Sequence, residues 1–396
     1  MLVYKYGGSS VADTKKIMAI ASYLKEVSLN DDIVVVVSAM GKTTNNLINL
    51  ANEITNSPSG RELDRLMSTG ENQTIALLSI ALNSLGLNSI SMTGEQLCIK
   101  TKGVHTKSRI HSIDKEKLEK KIKEHKIVIV AGFQGINEFG DVTTLGRGGS
   151  DTTAVAIAAT LNCPCYIFTD VDGIYSIDPR IYSKAKKLDK ISYEEMMELA
   201  YLGAGVMEPR AVELGYKYKV PIYVSKSLSK SNGTLITFKE KKMEEKDITG
   251  ISINDNTLMV TVDNISTYAK NLEPIFSKAE KLGINIDVIS HNDVISENGS
   301  IAFTTPKTDI ELVNKLFSEL DLENATVVIN KEVSKVSLVG IGMISHIGIM
   351  SKIFKILARN SLSFHQISTS EISISLIVDE EVSKVIAGLL AQEFKI

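Results

Sequence analysis

Unbroken runs of β-branched and apolar residues recur through the first part of the chain, separated by stretches in which apolar positions return every three or four residues. Ile33-Val34-Val35-Val36-Val37, Ile127-Val128-Ile129-Val130 and Tyr166-Ile167-Phe168 are the clearest runs. A run without polar alternation predicts a strand buried on both faces. Leu2 to Tyr6 predicts a further strand. Helical spacing covers 14–28, 72–85 and 152–161. Strands alternating with helices predict an α/β domain over 1–238, a mostly parallel sheet sandwiched by helices.

The pattern changes at 239–247, where Lys239-Glu240-Lys241-Lys242-Met243-Glu244-Glu245-Lys246-Asp247 reads as a solvated linker. Beyond it one arrangement occurs twice. The first copy has a strand from about Ile251, a helix over 272–282, strands at 284–289 and near Ile301, and a helix over 310–320. The second has a strand at 336–340, a helix at 348–359, strands at 362–367 and 372–378, and a helix over 381–390. Each copy fits a small α+β βαββαβ module, spanning 248–334 and 335–396, and the repeat reads as a ligand-binding appendage.

Charge and composition narrow the partners. Lys and Arg number 44 against 47 Asp and Glu, a formal charge of -3, so no bulk field favours nucleic acid or an anionic membrane. No stretch approaches the roughly 20 apolar residues that span a bilayer, and Met1-Leu2-Val3-Tyr4-Lys5 does not open a signal peptide. Three cysteines, Cys98, Cys163 and Cys165, suit a reducing cytoplasm. Cys163-Pro164-Cys165 lacks a second ligand pair nearby and reads as part of a buried strand; no metal site is expected.

Five clusters carry candidate chemistry. Lys5-Tyr6-Gly7-Gly8-Ser9-Ser10 ends the first strand, where glycines let backbone N–H groups approach an anion and Lys5 can neutralise phosphate. The spacing is not that of a Walker A loop, and a plain strand-to-helix turn would look similar. Ser38-Ala39-Met40-Gly41-Lys42-Thr43-Thr44-Asn45 follows the second strand, at the sheet edge where such folds bind ligands; it also reads as a helix start. In Ser68-Thr69-Gly70-Glu71-Asn72-Gln73, Glu71 can accept a substrate ammonium or serve as a first-turn helix glutamate. Gly146-Arg147-Gly148-Gly149-Ser150-Asp151-Thr152-Thr153 joins glycines, a fork-shaped cation and a helix start, which suits carboxylate or phosphate binding; Asp151 can cap the helix or orient Lys5. Thr169-Asp170-Val171-Asp172-Gly173-Ile174-Tyr175 continues to Asp178-Pro179-Arg180, a turn-rich hairpin that can also seat a nucleotide.

Together these clusters resemble the amino-acid kinase family, and within it the aspartokinases. The resemblance spans nearly the whole chain, with the two C-terminal units similar to ferredoxin-like ACT modules; Ile367-Ser368-Thr369-Ser370-Glu371-Ile372 carries it in the second. It implies transfer of phosphate from ATP to L-aspartate, giving 4-phospho-L-aspartate, the first step toward lysine, threonine and methionine. The acceptor carboxylate is ionised at neutral pH, and none of the five clusters contains His, so no general base is called for. By resemblance Lys5 bridges the phosphates and Asp151 organises that lysine. Gly7, Gly8 and Ser9 cradle phosphate, and Arg147 clamps a substrate carboxylate. Glu71 holds the ammonium, Ser38 and Thr44 complete the aspartate pocket, and Thr169, Asp170, Tyr175 and Arg180 line the nucleotide site. Mg2+ is expected to be held mainly through the phosphates.

Two departures stand out. Gly203-Ala204-Gly205-Val206-Met207 lacks the lysine many relatives carry near the nucleotide. Asn264-Ile265-Ser266-Thr267-Tyr268 lacks the Pro-Gly turn usual at the first module, so either effector binding there is altered or Ser266, Thr267 and Asp287 handle it instead; Met343 and Gly348 are the candidates in the second. The resemblance also implies lysine and/or threonine as inhibitors, a homodimer or higher oligomer, and a separately started regulatory fragment, for which Met243 is the candidate. No fused homoserine dehydrogenase is expected. A kinase acting on another small acid, or a catalytically silent amino-acid sensor, are the alternatives.

Overall fold

Every side chain of Ile33–Val37 is out of water, and so is every side chain of Ile127–Ala131. Both are strands in the computed structural model, which describes residues 1–229, 231–239, 247–266, 268–292, 299–320, 322, 325–344 and 348–396. Most of the charged linker, including Met243, therefore lies outside the described residues. Two units result. One comprises Met1–Ile174, Lys187–Ala200 and the stretch from Gly205 to the charged segment; the other comprises Tyr175–Lys186, Tyr201–Ala204 and the remainder. Among the described residues no helix is long and apolar enough to cross a membrane.

The first unit runs β1 (Leu2–Tyr6), α1 (Thr14–Val27), β2 (Ile33–Val37), α2 (Thr43–Ile54), α3 (Gly60–Ser84), β3 (Ser89–Met92), β4 (Lys100–Lys102), β5 (Arg109–Ser112), α4 (Lys115–Glu124), β6 (Ile127–Ala131), β7 (Gln134–Ile136), β8 (Val142–Thr144), α5 (Gly149–Leu161), β9 (Cys165–Thr169), β10 (Lys190–Ser192), α6 (Tyr193–Tyr201), α7 (Pro209–Tyr218), β11 (Ile222–Lys226) and β12 (Thr234–Thr237). Eight strands form one sheet in the order β10-β12-β11-β9-β1-β2-β6-β3, parallel throughout except between β11 and β12. Strands β5-β4-β7-β8 form a second, smaller sheet.

Alternation divides the large sheet into two faces. Tyr4, Tyr6, Ile33, Val35, Val37, Ile127 and Ile129 pack with Ile17, Ile20 and Leu24 of α1 and Ile75, Leu78 and Leu82 of α3. The intervening Val34, Val36, Val128 and Val130 point the other way, where α5 lies against β1, β2 and β9. Helix α5 is almost wholly buried, and its small residues let it approach the sheet closely. Cys165 is buried in β9, as its apolar neighbours predict.

The second unit runs β13 (Gly250–Ile265), α8 (Ala269–Leu282), β14 (Ile289–Asn292), β15 (Gly299–Thr305), α9 (Ile310–Ser318), β16 (Thr326–Val339), α10 (Ile349–Arg359), β17 (Gln366–Thr369), β18 (Ser373–Asp379) and α11 (Glu380–Phe394). A single sheet has the order β14-β15-β13-β16-β18-β17. The two modules are present, but their cores do not divide at residue 334. Strands β13 and β16 each run through both. Leu258, Val260 and Val262 of β13 pack with α8 and α9, whereas Ile251 of the same strand packs with Val336, Leu338, α10 and α11. Register shifts between Asn254, Thr257 and Met259 mark the passage. The second module is thus closed by the first residues of β13, which precede the first module's own core segments in sequence. Ile177 and, half-buried, Ile181 join the same core.

Ile251→Ala removes apolar volume from the second core, at a cost of about 2–4 kcal/mol. Hydrogen exchange on the full chain should show amides of Val336–Leu338 losing protection more than those of Leu258–Val262.

Candidate active site

Period-two alternation decides where Lys5 goes. Tyr4 and Tyr6 point into the α1/α3 core, so Lys5 points to the opposite face, between Val36 of β2 and Ile167 of β9. There α5 presents its first-turn residue Asp151. The Lys5 ammonium lies 2.6 Å from the Asp151 carboxylate, with 11% and 12% of the two side chains exposed. Asp151 is therefore not the helix cap: the N-cap is Gly148, in left-handed backbone, and no side chain caps that end.

The turn after β1 nests against the loop after β2. Ser38 N donates to Tyr6 O, and Gly41 N donates to Gly8 O at 3.0 Å. A Cβ on Gly8 would stand 2.8 Å from the Ala39 carbonyl oxygen, and one on Gly7 would stand 3.3 Å from the Lys5 nitrogen. Glycine is the residue that fits both positions. The turn is separate from the helix that follows: α1 begins at Thr14, where Asp13 accepts from Lys16 N. Ser9 is exposed, and its carbonyl accepts from Lys16 Nζ.

Glu71 is not a first-turn residue either. Helix α3 starts at Gly60, placing Glu71 in its interior with 3% exposure. Its Oε1 accepts from Ala39 N at 2.9 Å, while its Oε2 is buried with no hydrogen-bond partner among the described residues. Burial pushes its carboxyl up to about 7, against the opposing pull of the Ala39 N–H. Ser38 opens the loop after β2 and Thr44 is the second residue of α2; both are half-buried.

Arg147 is exposed in the turn between β8 and α5. Beside it lies a residue that the motifs did not single out. Glu208 packs on Gly148 so closely that a Cβ there would come 2.4 Å from the Glu208 Cβ. Burial raises the Glu208 carboxyl, the Asp151 charge adds to the rise, and Arg210 and Arg147 oppose it. In sequence Glu208-Pro209 reads only as a helix start. Thr169 ends β9 next to β1 and Asp170 follows it; there Gly7 N donates to Phe168 O and the Thr169 hydroxyl donates to Asp170. Tyr175 and Arg180 fall in the second unit, where Arg180 pairs with Asp178. Gly205 occupies an exposed position with φ +67°.

Residues 1–226 match the amino acid kinase family and residues 336–394 the ACT domain. The chain is 43% identical over 383 residues to the aspartokinase of Geobacillus stearothermophilus, covering 96% of this chain and 94% of that one. The chain belongs to the aspartokinase family. It is also 41% identical over 403 residues to an aspartate kinase of Stutzerimonas stutzeri, covering 100% and 97% of the two chains. Its fold matches that of E. coli aspartokinase III solved with aspartate and ADP, with a TM-score of 0.82 at 24% identity over 99% of each chain.

Within the ACT-bearing unit of this aspartokinase family member, Ser266 is half-buried just after β13, and Thr267 lies outside the described residues. Asp287 is exposed and pairs with Lys335 of β16, whose side chain is 3% exposed. An ammonium so far from water needs a counter-charge, and Asp287 supplies it. Met343 packs on the second core, and Gly348 is the left-handed N-cap of α10.

The raised Glu71 carboxyl carries a stability consequence. Its folded value, about 7, exceeds the ordinary 4.5. The native state therefore holds the proton more tightly, and the cost of ionising Glu71 is absent below pH 4.5 and complete above pH 7. Glu71→Gln should stabilise the chain by up to about 3 kcal/mol at pH 8 and by little at pH 4.5, as read by urea unfolding at both.

Proposed function

We propose that this chain transfers the γ-phosphoryl group of ATP to the side-chain carboxylate of L-aspartate, with the residues named above in the following roles. The observation that carries the reading is the Lys5–Asp151 pair set beside the Gly7–Gly8 turn, with an unpartnered Glu71 oxygen on the neighbouring loop. Lys5 neutralises charge on the transferring group, and Asp151 keeps its ammonium aimed. Arg147 clamps the α-carboxylate of aspartate, and Glu71 takes its ammonium, with Ser38 and Thr44 closing the pocket. Gly7, Gly8 and Ser9 receive phosphate, and Thr169 and Asp170 serve the nucleotide.

The nucleophile is already an anion, so catalysis reduces to positioning and charge neutralisation. Among the described residues no group of three His, Cys, Asp or Glu is arranged to hold a cation. Mg2+ arriving with ATP would be held mainly through the phosphates, where it would supply further charge neutralisation. The tandem modules bind an end-product amino acid, lysine and/or threonine, and pair between chains in a homodimer or higher oligomer in the cytoplasm. A regulatory fragment started at Met243 would keep Gly250–Asn254 and so the strand that closes the second module.

A coupled ADP-release assay should show preference for L-aspartate over glutamate, acetylglutamate, carbamate and nucleotide monophosphates. Lys5→Ala or Asp151→Ala should cut kcat by roughly 10³-fold while a cooperative melt persists; full activity in either variant removes the assigned roles. The ammonium anchor works when Glu71 is ionised, so kcat/KM for aspartate should fall as pH drops through about 7. Glu71→Gln should lose that limb. Lysine and threonine, singly and paired, should lower the rate of the full chain; indifference to both removes the end-product reading.

A further inference from the structure

Asp64 is fully buried, and the five motif clusters give it no role. It lies in α3 seven residues before Glu71, two turns away and on the same helix face. Its two oxygens accept from the Thr106 N–H at 3.0 Å each, from the Thr144 hydroxyl, and from His105, whose Nδ1 is 2.7 Å away. A carboxylate at zero exposure is tolerable only when donors replace its water, and here donors come from two different segments.

Those segments meet behind Arg147. Thr144 ends β8, three residues before it. The Thr106 carbonyl oxygen would lie 3.3 Å from a Cβ on Gly146, so the 104–108 loop backs directly onto the turn that carries Arg147. Ser108 N donates to Thr144 O at 3.0 Å. From the other side Arg210 donates to Leu145 O at 2.6 Å and to Ser108 O at 3.0 Å. The helix that carries Glu71 is thereby tied through Asp64 to the loop that carries Arg147.

We propose that Asp64 is a positioning residue that sets the separation of Glu71 and Arg147, and through it the discrimination between aspartate and its longer homologue glutamate. The inference rests on the ammonium and carboxylate roles proposed for those two residues. Fixing both groups on the α-carbon fixes how far the side-chain carboxylate reaches toward the transferring phosphoryl group. A looser frame admits one more methylene and holds aspartate less well.

The test uses the full chain. Asp64→Asn is isosteric but turns an acceptor into a donor that faces the Thr106 N–H. It should raise KM for aspartate about 10-fold and leave KM for ATP within about 2-fold. The aspartate-over-glutamate ratio of kcat/KM should fall by about 10-fold. Thr144→Val, which removes one donor and keeps the shape, should give the same pattern in smaller degree and serves if Asp64→Asn does not fold. In an Arg147→Ala background, Asp64→Asn should add little, because both act on one clamp. Arg147→Ala with unchanged aspartate KM defeats the clamp itself. A raised KM in Arg147→Ala combined with wild-type KM and discrimination in folded Asp64→Asn and Thr144→Val overturns the positioning role alone, as does an undiminished Asp64→Asn effect in the double variant.

Discussion

An ammonium and a carboxylate 2.6 Å apart, both nearly shut off from water, sit where the first strand meets the first turn of α5. Such a pair gains little over apolar side chains of the same size, because desolvation offsets most of the attraction. Its worth is positional. Lys5 is held by a strand with neighbours on both sides, and Asp151 by a helix with almost no exposed surface. Neither charge can wander, so an anion approaching the Gly7–Gly8 turn meets a cation whose orientation was set during folding.

The rest of the first unit can be understood as what that pair requires. The sheet must be parallel and covered on both faces, so that Tyr4 and Tyr6 anchor one side of β1 while Lys5 emerges on the other. The helix must be made of small residues to come close enough. The turns after β1 and β2 must interlock, which leaves no room for a side chain on Gly8. Glu71 then reaches the Ser38–Ala39 loop from the middle of α3 and pays for its burial with a carboxyl that no longer ionises in the usual range.

What the sequence made legible follows from the range of the interactions involved. The doubly buried strands were plain, because side-chain period and apolar content are local. The motif clusters were also local, and the structure brings Lys5, Gly7, Gly8 and Asp151 to one place and Glu71 to the neighbouring loop. Helix α3 was read as beginning near residue 72, whereas it begins at Gly60, because the intervening face buries Asp64, Ser68 and Glu71 and so lacks an apolar stripe. Asp64 meets Thr144 across 80 positions, and Glu208 meets Gly148 from a distant helix start, partnerships that no spacing rule reaches. The two module cores share β13 for a similar reason: Asn254-Asp255-Asn256 has the composition of a turn yet lies inside a continuous strand, and Gly250–Asn254 finds its partner only at Lys335–Val339.

Strands β13 and β16, each serving two modules, impose an order of events on synthesis. Gly250–Asn254 leaves the ribosome well before Lys335–Val339, its pairing partner, and the 81-residue interval between Asn254 and Lys335 corresponds to roughly 4–16 s at ordinary elongation rates. During that time the segment is an unpaired edge, open to other chains. The polar Asn254-Asp255-Asn256 stretch and the neighbouring Asp247 are the kind of residues that discourage such pairing, so the hydrophilic interruption that disguises the strand also protects the nascent chain.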